Sequence, residues 1–71
     1  MIKRRLKKLR AELRLTAMEL SEKISIPVRT FGSYERGEVL PGTKFYKKML
    51  EIFNVNLNWL IGGSGTMFIE Q

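Results

Sequence analysis

The stretch TAMELSEKISIPVRTFGSYERG, residues 16–37, decides the fold. Thr16 is placed to cap a helix, and Glu19, three residues on, to reach back to it in a capping box. Leu20 and Ile24 then share one face at helical spacing. Ser25-Ile26-Pro27 interrupts the pattern, because the ring of Pro27 fixes its own φ and disfavours helical geometry at Ile26. A second helix follows, with Phe31 and Tyr34 three apart on its inner face and Gly37 placed to end it. Two helices joined by so short a turn cross steeply. Leu20, Ile24, Ile26, Phe31 and Tyr34 fill the angle, and Ser21 is small enough for the close crossing.

This helix-turn-helix pattern resembles the DNA-binding domain of the phage repressor and Cro type, often called the XRE family. The likeness covers nearly the whole chain: RLKKLR (5–10), LTAMEL (15–20), SYERG (33–37), the Pro41 segment and NVNLNWLIGGSG (54–65). It implies an all-α, lambda-repressor-like domain of five helices, with the helix-turn-helix at the second and third. The third helix is then the one that reads duplex DNA. In the family motif its first, second and sixth positions reach base edges, here Val28, Arg29 and Ser33. The chemistry suits them: arginine offers paired donors to guanine, valine packs on a thymine methyl, and serine bonds to several edges. The resemblance also implies an ion pair between Arg10 and Glu35, joining the first helix to the reading helix.

Composition sets the bounds. With 71 residues the chain makes one small domain, whose single core leaves it only marginally stable. It holds no cysteine and no histidine, which excludes disulfides, Cys/His metal sites and nucleophile–histidine catalysis. No apolar run approaches the roughly 18 residues that span a membrane. These features fit a cytoplasmic protein that is not an enzyme, with no cofactor and no metal. The net charge of +6 points to a polyanionic partner.

Residues 2–14 read as the first helix, with Leu6, Leu9 and Leu13 as its core stripe. Around that stripe stand Lys3, Arg4, Arg5, Lys7, Lys8, Arg10 and Arg14, seven of the thirteen basic residues. They form either a phosphate-facing surface or a solvated face. The second helix covers about residues 17–24. Ala17 replaces the glutamine with which many family members grip a phosphate, and Ser25 stands where the turn often has glycine. Either the turn geometry differs there or some strain is accepted.

In the reading helix, residues 28–36, Thr30 and Arg36 are assigned to phosphates. Gly32 in mid-helix costs about 1 kcal/mol against alanine. It reads as a place where backbone approaches DNA closely, the alternative being tolerance at an exposed site. The fourth helix, residues 43–53, turns Phe45, Met49, Ile52 and Phe53 to the core. Its amino end, with Thr43, Lys44 and Lys47, reads as a phosphate clamp, whereas Lys48 is an ordinary solvated lysine. Asn54 ends this helix, Asn56 caps a fifth over residues 57–61, and Trp59 plugs the core.

The sequence therefore predicts a DNA-binding domain over residues 1–65 and a tail over 66–71 that serves as a dimer contact or the start of a linker, the remaining alternative being that it folds back onto its own core. The expected function is sequence-specific duplex binding by a transcriptional repressor, as a homodimer on a palindromic operator. Val55, Leu57 and Met67-Phe68-Ile69 are the expected dimer surface. The alternatives are an antitoxin-type interaction module, or the targeting domain of a longer repressor.

Overall fold

A computed structural model describes residues 2–69; Met1 and the last two residues of the tail, Glu70 and Gln71, lie outside the described residues. Five helices follow in order: α1 Ile2–Leu13, α2 Ala17–Lys23, α3 Val28–Arg36, α4 Thr43–Phe53 and α5 Leu57–Gly62. The capping box at α2 is complete. The Glu19 amide donates to Thr16 Oγ1 at 3.1 Å, and the Thr16 amide donates to Glu19 Oε1 at 2.8 Å.

Left-handed residues end most of the helices. Gly37 (φ 75°) closes α3, Asn54 (φ 57°) closes α4 and Gly63 (φ 77°) closes α5. The fifth helix thus runs through Gly62, one residue beyond the expected end. Arg14 and Ser25 also stand at φ 57°, a conformation in which a Cβ crowds the following carbonyl. At Ser25 the turn therefore keeps the left-handed geometry and the serine accepts the strain.

The core is built from Leu6, Leu9, Leu20, Ile24, Phe31, Phe45, Met49, Val55 and Leu60, all buried. Ser21 is 2% exposed at the α2 crossing, and its hydroxyl donates to the Met18 carbonyl at 2.8 Å, so burial leaves no orphaned donor there. Phe45 is the hub of an aromatic cluster, with ring centroids 6.2 Å from Phe31, 5.0 Å from Tyr34 and 5.7 Å from Tyr46. Trp59 is half-buried against this core.

Ile52 differs from expectation, being 48% exposed. The buried arc of α4 runs from Phe45 through Met49 to Phe53 and Tyr46, and Ile52 falls off its far edge. The tail takes one of the courses open to it and folds back onto the domain. Phe68 forms an antiparallel bridge with Val55, while the Asn56 amide donates to the Met67 carbonyl at 2.9 Å and the Ile69 amide to the Asn54 carbonyl at 2.9 Å. Residues 66–69 thus pack into the domain and cover Val55 completely.

Candidate nucleic-acid interface

Burial divides α3 into two faces. Phe31 is fully buried, Glu35 is 7% exposed and Tyr34 is half-buried against Phe45, so these three lock the helix to the core. Outward lie Val28, 40% exposed, and the exposed Arg29 and Arg36, with Thr30, Gly32 and Ser33 half-buried between them. Arg29 makes no side-chain hydrogen bond or ion pair among the described residues, and its donors face solvent. The Ser33 hydroxyl donates to the Arg29 carbonyl at 3.2 Å and also stands close enough to Glu38 to help lower its carboxyl.

Arg10 Nε and Nη2 donate to Glu35 at 2.8 and 3.3 Å, a forked pair that fixes α3 against α1. The burial of the pair is one-sided, the side chains being 30% exposed for Arg10 and 9% for Glu35.

The amino end of α4 is carried to α3 by Phe45, third residue of α4, through its ring contacts with Phe31 and Tyr34. No side chain caps this end; Gly42 is the N-cap, and the first amides of the helix have no intrahelical acceptor. Thr43, Lys44 and Lys47 are exposed there. Lys47 faces Glu51 at 4.0 Å, a loose pair that leaves most of its charge to solvent.

Several basic residues hold the protein together instead of facing outward. Lys48 Nζ donates to the Ile24 carbonyl at 2.8 Å, closing the end of α2, so it is not the solvated lysine expected. Arg5 Nε and Nη2 donate to the Leu60 and Ile61 carbonyls at 2.8 and 2.9 Å, capping α5 from α1. It is therefore not a free solvated charge. Glu38, which sequence reasoning passed over, holds Arg36 through two hydrogen bonds of 3.1 Å. The only sequence signal for this pairing is the short step across Gly37.

The titration behaviour follows these contacts. The Thr16 backbone N–H and hydroxyl hold the Glu19 carboxyl below its ordinary range, and the Arg36 fork does the same for Glu38. Burial raises the Tyr46 phenol. Among the described residues no cluster of His, Cys, Asp or Glu is arranged to hold a metal, and no helix is long and apolar enough to cross a membrane.

A family model described as helix-turn-helix matches residues 6–60. No curated protein and no solved structure matches the chain. A match over that length takes in most of α1, all of α2, α3 and α4, and most of α5, and with the all-α architecture it settles the kinship. The chain belongs to the helix-turn-helix family of phage repressor and Cro (XRE) type, whose members are DNA-binding domains of transcription regulators.

Proposed function

We propose that this domain is a transcriptional repressor of phage or prokaryotic type that reads the major groove with α3 and catalyses nothing itself. The observation that carries the reading is the division of α3, whose inner residues are locked while Arg29 stands exposed and unpaired among the described residues. Val28, Arg29 and Ser33 are the base-reading residues of this proposal. Thr30, Arg36, Thr43, Lys44 and Lys47 meet phosphates, and the protein acts in the cytoplasm.

The Cα frame measures 31 × 22 × 22 Å, less than the roughly 34 Å between successive major-groove faces. One domain therefore reads a single half-site, too little sequence to select one site in a genome. A homodimer on a palindromic operator supplies the second half. Of the expected dimer surface Val55 is buried beneath the tail, Leu57, Met67 and Phe68 are half-buried and Ile69 is 42% exposed; Ile61, 52% exposed one turn on from Leu57, adds to it.

Selection of binding sites from random duplex DNA, followed by footprinting, tests the proposal. With about 4–6 phosphates neutralised per monomer, the log–log salt slope is expected near −4 to −5. A slope near zero, or no duplex binding at low salt, refutes DNA binding as the function. A footprint on one half-site, with one monomer per duplex, refutes the dimer.

A further inference from the structure

This inference rests on the reading of α3 as the DNA-facing helix. The Arg36 guanidinium is held in place at the end of that helix. Its Nε and Nη2 both donate to the Glu38 carboxylate at 3.1 Å, across the left-handed Gly37 that turns the chain back toward α3. Its Nη1 lies over Gly32, only 2.9 Å from where a Cβ on that residue would stand. Residues 29, 32, 33 and 36 share one face at helical spacing, the outward face of α3. Gly32 thus leaves room for a side chain of the protein itself to lie across the middle of that face.

The remaining donors follow from the geometry. Glu38 takes Nε–H and one hydrogen of Nη2, leaving both hydrogens of Nη1 and the second of Nη2. That free edge matches two adjacent acceptors, such as guanine O6 and N7 or a pair of phosphate oxygens. Fold stability gives little reason for the pair, because the two side chains are 56% and 57% exposed and such pairs contribute little.

We propose that Glu38 is a positioning residue of the DNA interface: by forking Arg36 over the space left at Gly32, it sets the free guanidinium edge for paired acceptors on the duplex. The opposite role, a carboxylate that competes with DNA for Arg36, predicts effects of the opposite sign.

A double-mutant cycle measured on a duplex recovered by selection, with a scrambled duplex as control, decides the matter. Glu38→Gln is expected to weaken specific binding about 3- to 10-fold, the cost of immobilising a long side chain that the wild type already holds. In an Arg36→Ala background the same substitution is expected to change nothing. Gly32→Ala places a Cβ against Nη1 and is expected to lose specific affinity only when Arg36 is present, while raising the melting temperature because alanine favours helix. Replacing guanines by 7-deazaguanine distinguishes the acceptors: Arg36 loses its advantage at one position if it meets a base, and at none if it meets phosphate. Equal or tighter binding by Glu38→Gln, or equal losses with and without Arg36, overturns the role of Glu38. A wild-type chain that binds no selected duplex overturns the DNA reading itself, and this role with it.

Discussion

Arg10 grips Glu35 with two donors, at 2.8 and 3.3 Å, yet the Glu35 side chain is 9% exposed and that of Arg10 30%. The two ends of the pair are therefore not equivalent. Arg10→Met strands a buried carboxylate and is expected to cost about 2–4 kcal/mol. Glu35→Gln leaves an arginine that keeps water, the Leu15 carbonyl at 3.4 Å and an amide oxygen to bond, so about 1 kcal/mol is expected. Urea denaturation of both variants checks this, and equal losses would show that burial does not set the cost.

Base reading and phosphate contact separate by what else each substitution changes. Arg29→Ala is expected to cost about 1–3 kcal/mol at one guanine position and to relax the preference there. Lys44→Ala is expected to weaken all duplexes alike and to reduce the salt slope by about one unit. Titrations on the selected duplex and its single-base variants, at several salt concentrations, show whether the two losses differ in kind.

Acid is expected to weaken the fold through the α2 cap. Glu19 is held below its ordinary value of 4.5 by the Thr16 backbone N–H and hydroxyl. A lowered folded-state value means the contribution is complete above the unfolded value and disappears as pH falls through the folded one. Glu38, lowered by Arg36, changes in the same direction. Melting curves of the wild type and Glu19→Gln should converge on acidification; a constant gap between them would exclude this origin.

Ser25 stands at φ 57° with a Cβ that the position does not favour. Ser25→Gly removes the crowding but gives the unfolded chain more freedom, two effects of about 1 kcal/mol and opposite sign, with the folded-state term the larger. A net gain of about 0.5 kcal/mol is expected in equilibrium denaturation. A loss would mean the serine hydroxyl contributes something beyond its backbone conformation.

Where one residue type has one local job, the sequence was readable. Apolar spacing marked α3 and α4 to their ends, and Thr16, Gly37 and Asn54 marked boundaries because capping and left-handed geometry narrow the choice of residue. Long cations were not readable. Arg5 and Lys48 reach carbonyls 55 and 24 residues away, and a flexible stem carries no periodic trace of where its charge ends up. The pairing of residues 54–56 with 67–69 was hidden for a similar reason: a single bridge has no repeat to betray it. In the candidate interface the outward positions followed from helical geometry. The carboxylate behind Arg36 did not, since a short step across Gly37 does not by itself say which charge a surface arginine will choose.

Arg5 gives the domain a schedule. A chain synthesised from its amino end exposes Arg5 well before the carbonyls of Leu60 and Ile61 exist to receive it. Until then α1 lacks its partner at the far end of the chain, and apolar surface meant for α5 stays open to other proteins. The interval before residues 57–62 have been made and have folded is thus when this domain is most exposed to misassembly.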